Sequence, residues 1–279
     1  MNVAIIGVGL IGGSLAITLR EQKIATRILG VDKDENNLKK AVQLGLIQEG
    51  VALEKAVKES DIVFLTVPVD AILHLLPPLL DRVSNQVIVD MGSTKKTILH
   101  AVSDHPKRGR LVAAHPMAGT EHSGPEAAIP NLFKGKMMVY VDAMNSDEDA
   151  FEAVDAIIEQ LEMHTTFMSA NEHDLHTAYV SHISHVTSFA LALTVLEKEK
   201  SQGRIFELAG SGFESTVRLA KSSPDMWTPI FRQNRDNVLE VLQEHIRQLQ
   251  QIYDVLDRED YDLFYKLIKK SNKIRRILR

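Results

Sequence analysis

A chain of 279 residues is long enough for one large domain or two modest ones, each with its own core. It is 44% hydrophobic and 25% charged, as globular proteins are, and a net charge of −5 gives no general attraction to nucleic acid or to an anionic membrane. The absence of cysteine excludes disulfides, thiolate catalysis and cysteine-ligated metals.

The first residues enter a strand at once, leaving no room for a charged region and signal core, and no apolar run is expected to span a bilayer. A soluble, cytoplasmic protein is the expectation. Val3–Ile6 is short, apolar and largely β-branched, as a buried parallel strand is. Gly7, Gly9 and Gly12 follow in G-x-G-x-x-G spacing, and Leu15–Leu19 continues apolar at helical intervals. In this pattern the first glycine makes a tight turn, the second admits a pyrophosphate to the backbone, and the third lets helix and strand close together. The free N–H groups of the helix start, at Leu10 and Ile11, then face the diphosphate. Arg27–Asp32 is a second strand ending in an acid twenty residues past Gly12, the usual distance for a carboxylate that holds a ribose 2′-hydroxyl. Such a carboxylate repels a 2′-phosphate and favours NAD over NADP; the alternative is a helix N-cap opening Lys33–Leu44.

A connecting segment is expected through Lys58, then a third strand over Asp61–Val67, stopped by Pro68. Ala71–Leu80 reads as a helix kinked or broken at Pro77 and Pro78. Gln86–Asp90 is a fourth strand, after which Gly92-Ser93-Thr94 caps a helix running to about Val102. Leu111–Ala114 and Lys136–Val141 are further strands, and a helix over Ser146–Leu161 and a strand near Thr165–Met168 complete the sheet. This alternation predicts an α/β, Rossmann-type doubly wound parallel sheet over residues 1–168. From about Ser169 strand signals cease. Helical patterns cover Asn171–Lys200, Gly203–Ala209, Thr216–Lys221, Pro229–Leu256 and Asp257–Ile277, the last ending in a basic tail. The second domain, 169–279, is therefore all-helical, and its long helices suggest a dimer interface.

In an open parallel sheet ligands bind beyond the carboxyl ends of the strands. Val67 and Pro68 at one such end would border the nicotinamide, and Met91–Lys95 lies at another. His115 stands at a third, before Pro116, placed to take a proton from an alcohol or, equally, to make turn hydrogen bonds. In the helical half His182 and His185 lie at i, i+3, a spacing repeated by His173 and His176. No metalloprotease pattern or carboxylate cluster accompanies them, so no metal is expected. Arg218 suits a carboxylate bound by two parallel hydrogen bonds, or a surface ion pair.

With GVGLIGGS at Gly7, MGSTK at Met91, HPMAGTEHSG at His115, SHISH at Ser181 and GFESTVRLAKSSPDMW at Gly212, the chain resembles the prephenate and arogenate dehydrogenases of tyrosine biosynthesis over essentially its whole length. The resemblance implies an NAD-binding Rossmann domain, a helical dimerisation domain and an active site between them. It implies that hydride passes from the carbinol carbon of prephenate to NAD⁺ while the ring carboxylate leaves as CO₂. It makes His115 the base, Ser93 its orienting partner, Arg218 and His185 substrate-binding residues, and Thr120, Glu121 and His182 pocket lining; Trp227 matches an aromatic near the site. Many relatives carry a basic residue and Asp after the Gly-Phe, where this chain has Glu214 and Ser215. That departure, with Glu121, leaves arogenate as the alternative substrate. No separate regulatory domain is expected, and tyrosine inhibition would be competitive. Two different classes compete with this reading: a β-hydroxyacid dehydrogenase, which would rely on a lysine where SHISH stands, and a non-catalytic dinucleotide sensor.

Overall fold

The computed structural model describes residues 1–277; Leu278 and Arg279, the end of the expected basic tail and second domain, lie outside the described residues. Strand β1 (Asn2–Ile6) leads into helix α1 (Leu10–Glu21), β2 (Arg27–Val31), α2 (Glu35–Gln43), β3 (Glu49–Gly50), α3 (Leu53–Glu59), β4 (Ile62–Leu65), α4 (Val69–Arg82), β5 (Val87–Asp90), α5 (Lys96–His100) and β6 (Leu111–Pro116). Then come β7 (Met137–Val141), α6 (Glu148–Gln160) and β8 (His164–Met168). The sheet order is β3-β2-β1-β4-β5-β6-β7-β8, with the order reversing between β1 and β4. That reversal is the crevice where this architecture takes a dinucleotide.

Side chains alternate across the strands, so the sheet has two dry faces. Val3 and Ile5 of β1 join Leu15, Ala16 and Leu19 of α1 in one core, while Ala4 and Ile6 join Ile72, Leu76 and Leu79 of α4 in the other. Each fully buried Ile, Leu or Phe contributes roughly 1.5–3 kcal/mol, which makes this sheet the rigid body that positions the site.

The helical half contains α7 (Ala170–Thr177), a π-helical turn (Ala178–His182), α8 (Ile183–Gln202), α9 (Ser211–Val217), α10 (Pro224–Gln233), α11 (Arg235–Asp257) and α12 (Tyr261–Ser271). Short 3₁₀ turns stand at Ile205–Leu208, Arg218–Lys221 and Asn272–Arg276. Its own core is small: Ala178, Val238 and Val241.

Several sequence expectations need correction. Strand β7 runs antiparallel to β6, so the sheet is parallel-dominated rather than wholly parallel. The expected connector to Lys58 holds β3 and α3. Helix α4 continues through Pro77 and Pro78, held by the buried face of Ile72, Leu76, Leu79 and Leu80. The helix after β5 is short and starts at Lys96 with no side-chain cap from Gly92-Ser93-Thr94; the carboxylate of Asp174 accepts the Lys95 and Lys96 N–H groups instead. The expected Pro229–Leu256 helix is two, broken at Asn234. Finally, Ala170–Gln202 is long and apolar enough to cross a membrane by length and composition, contrary to the expectation. Its side chains His173, Asp174, His182 and His185 are buried in the fold.

Candidate active site

The glycine loop is built as its spacing requires. Gly7 has φ +98°, and a Cβ there would lie 2.7 Å from Val67 Cγ1. At Gly12 a Cβ would lie 2.2 Å from the Gly7 carbonyl oxygen, so that glycine is what lets α1 close onto the loop. At Gly9 a Cβ would meet nothing nearer than 4.0 Å, leaving an open approach to the N-terminal N–H groups of α1, where Leu10 and Ile11 begin the helix. Thr66 Oγ1 donates to the Gly7 carbonyl at 2.7 Å and ties the loop to the end of β4. Val67 and Pro68 follow, with Pro68 preceding the first turn of α4. Asp32 accepts from the Val8 N–H (3.2 Å) and the Asp34 N–H (3.0 Å), while the cap of α2 is Asp34. An N-cap role for Asp32 is thereby removed. An open Gly9, a free helix terminus and an acid fixed beside the loop fit a dinucleotide.

His115 closes β6 at the same carboxyl edge. Its Nδ1 lies 2.8 Å from His173 Nε2, and His173 Nδ1 lies 2.7 Å from Asp174 Oδ1. The network assigns every proton. Asp174 is held below the usual carboxylate range by its bonds to His173 and to the Lys95 and Lys96 N–H groups, despite burial, so it accepts and His173 Nδ1 donates. His173 Nε2 must then accept from His115 Nδ1–H, which leaves the lone pair of His115 on Nε2. Burial, reinforced by the nearby His173, Lys95 and His182, pushes His115 well below the ordinary imidazole range. The result is a neutral ring with its free nitrogen turned away from its protein partner.

The wall opposite comes from the helical half. Nine residues of regular helix would place His173 and His182 about 180° apart around the axis. The wider π-helical turn removes about one residue's rotation and brings them to about 80°. Asn234, buried at the α10–α11 break, donates to the Asp174 carbonyl (2.6 Å) and to His182 Nδ1 (3.1 Å), so His182 carries its proton on Nε2. Burial lowers His182 to about 4. His185 Nδ1 donates to the Ser181 carbonyl (3.0 Å), and its ring stacks on Trp227 at 3.5 Å. Arg218 is near enough to help lower His185, after burial. The Arg218 guanidinium pairs with Glu121 at 2.8 Å, their side chains 49% and 19% exposed. Thr120 Oγ1 accepts from the His122 N–H in the same loop.

His182 thus lies near His115, Arg218 near His185 and against Glu121, and Thr120 in the same loop as Glu121. Ser93 sits on the neighbouring β5–α5 turn and, among the described residues, makes no hydrogen bond to His115. Arg218, expected to bind a carboxylate or to form a surface ion pair, is paired here with Glu121, expected to line the pocket. Sequence reasoning missed His173 as the partner of His115, with Asp174 and Asn234. The adjacency of His173 and Asp174 was the available signal.

Two family models match the chain: the prephenate dehydrogenase nucleotide-binding domain over residues 15–167, and the prephenate dehydrogenase dimerization domain over 169–270. The prephenate dehydrogenase of Bacillus subtilis is 30% identical over 98% of this chain and 75% of its own. The cyclohexadienyl dehydrogenase of Zymomonas mobilis is also 30% identical, over 100% and 96%. The prephenate dehydrogenase of Aquifex aeolicus, solved in complex with hydroxyphenyl propionate and NAD⁺, superposes with a TM-score of 0.90 at 30% identity, covering 100% of this chain and 98% of that one.

Proposed function

The chain belongs to the prephenate dehydrogenase family, and from that premise we propose that it converts prephenate to 4-hydroxyphenylpyruvate by NAD-dependent oxidative decarboxylation in tyrosine biosynthesis. The observation that carries this reading is the free His115 Nε2, backed by His173 and Asp174 at the carboxyl edge that also holds Gly9.

When bound, NAD⁺ supplies the hydride acceptor. Gly7, Gly9, Leu10, Ile11 and Gly12 would hold its diphosphate, Asp32 its ribose, and Val67 and Pro68 would border its nicotinamide. His115 Nε2 takes the proton of the substrate hydroxyl, and the imidazolium that forms shares its charge through His173 with the carboxylate of Asp174. Ser93, on the adjoining turn, directs the hydroxyl toward that nitrogen. Arg218 exchanges Glu121 for a substrate carboxylate, and His182 offers its Nε2–H to another acceptor. His185, Thr120 and Glu121 complete the wall. Residues 1–168 form the nucleotide half and 169–279 the substrate and dimerisation half of a cytoplasmic homodimer.

Arogenate is the second reading. Glu214, one of the acids that suggested it, is exposed and lies 3.9 Å from Lys221. That leaves Glu121 as the one acid beside Arg218, freed only as Arg218 turns to the substrate carboxylate, and prephenate, which needs no such anion, comes first. The test is NADH formation with each substrate. A higher kcat/KM for prephenate is expected; a clear arogenate preference would reverse the order, and no turnover of either would return the reading to a sensor or another dehydrogenase.

A further inference from the structure

A cavity of about 420 Å³ opens at the edge of the sheet opposite His115. Because β7 runs antiparallel to β6, Arg108 before β6, Asp142 after β7 and Ala170 after β8 all lie at that far edge. The proposed reaction uses none of the side chains that line it. Its volume is within the roughly 300–1,000 Å³ usual for small-molecule sites. The lining is mostly positive. Arg108 is only 8% exposed; its Nη1 donates to the carbonyls of Leu111 (2.9 Å) and Asn145 (3.4 Å), but its buried Nη2 has no partner among the described residues. A buried guanidinium nitrogen without an acceptor is costly, and folded proteins seldom leave one. Lys96 brings a second cation from α5, and His100, four residues on, shares its face. The first turn of α7, at Ala170 and Asn171, completes the wall with the positive end of a helix dipole. Asp142 is the one acid among the lining residues, and its Oδ1 is engaged by the Ala170 N–H at 3.3 Å. Leu99 supplies apolar surface beside these donors.

We propose that this cavity binds a small phosphate-bearing anion, its oxygens received by the Arg108 guanidinium, the Lys96 ammonium and the start of α7. The inference stands apart from the dehydrogenase reading. A dianion suits the site better than a single carboxylate does. Two cations and a helix terminus converge there, against one carboxylate that already has a donor. Beside the phosphate, the volume leaves room over Leu99 for the organic part of a phosphate monoester. The bound anion would bridge α5 and α7, the two helices that Asp174 already joins through the Lys96 N–H at 2.9 Å.

The experiment is calorimetric titration of the full chain, saturated with NAD⁺ so that the nucleotide crevice is filled, at constant ionic strength. The probes are inorganic phosphate and glycerol phosphate. Saturable binding is expected, and the two probes tell the sources apart: tighter binding of the ester assigns an organic phosphate, and equal binding assigns the free ion. In K96Q/H100Q the affinity should fall at least about tenfold, because a cation and a second donor are lost from the wall. N171D is the second variant. It puts a carboxylate in the first turn of α7, where the helix dipole favours it, so the protein should fold as the parent does while repelling the ligand. NAD⁺ affinity should be the same in all three proteins, which separates this site from the crevice. No saturable binding of either probe would overturn the proposal, as would equal affinity in the parent and both variants. If K96Q/H100Q does not fold, N171D decides alone: undiminished binding there overturns the proposal.

Discussion

An imidazole accepts a proton in a defined direction only when something fixes which nitrogen is already protonated. Here that is Asp174, acting on the working nitrogen through the His173 ring. Replacing it by Asn keeps its shape but removes the anion that compensates an imidazolium, so Asp174→Asn should lower kcat at least about tenfold with NAD⁺ affinity nearly unchanged, measured by steady-state kinetics and NADH fluorescence. The same buried histidines make stability sensitive to acid. His182 is lowered to about 4 and His115, His173 and His185 are lowered as well, so between about pH 6.5 and 4 the unfolded chain binds protons that the folded one does not. Stability should therefore fall as pH drops through that window, and His182→Asn should flatten the fall in Tm. The place of His115 at the end of an apolar strand was legible, but position suited a turn histidine equally, and its role as base came from the resemblance. His173 was not legible, because its partner lies 58 residues away and a histidine in a helical pattern reads as surface.

At the scale of elements, the two halves meet through polar clasps. Asp70, in the first turn of α4, accepts from Arg232 (2.6 Å) and Gln233 (2.8 Å) of α10, and Gln233 in turn accepts from Thr94 Oγ1 (2.8 Å). Together with the grip of Asp174 on the start of α5, this ties the β5–α5 turn directly to α10 and α7. Asp70→Ala should raise KM for prephenate more than it lowers kcat, because the clasp sets the cleft rather than touching the reacting atoms. The strands and glycine loop were legible in the sequence, since alternation and spacing are local. The cap of α5 by a residue 78 positions away, the break at Asn234 and the π-helical turn are tertiary choices that no local pattern records.

The whole molecule exposes more apolar surface on its helices than a monomer of this kind needs to. Ile246, Leu249 and Tyr253 of α11 are 57%, 52% and 63% exposed, and α8 exposes Leu193 and Leu196. A second copy covering these faces predicts a sedimenting mass about twice 31.1 kDa, and Leu249→Asp should shift the population toward monomer. The proposed reaction turns on one group, a neutral His115 bonded to His173 through Nδ1, at the carboxyl edge of the sheet that also carries the glycine loop. The most direct test is turnover of prephenate by H115N alongside its affinity for NAD⁺. Turnover should be lost while NAD⁺ binds nearly as tightly as before; an H115N enzyme that still forms NADH at a rate near that of the parent would contradict the account.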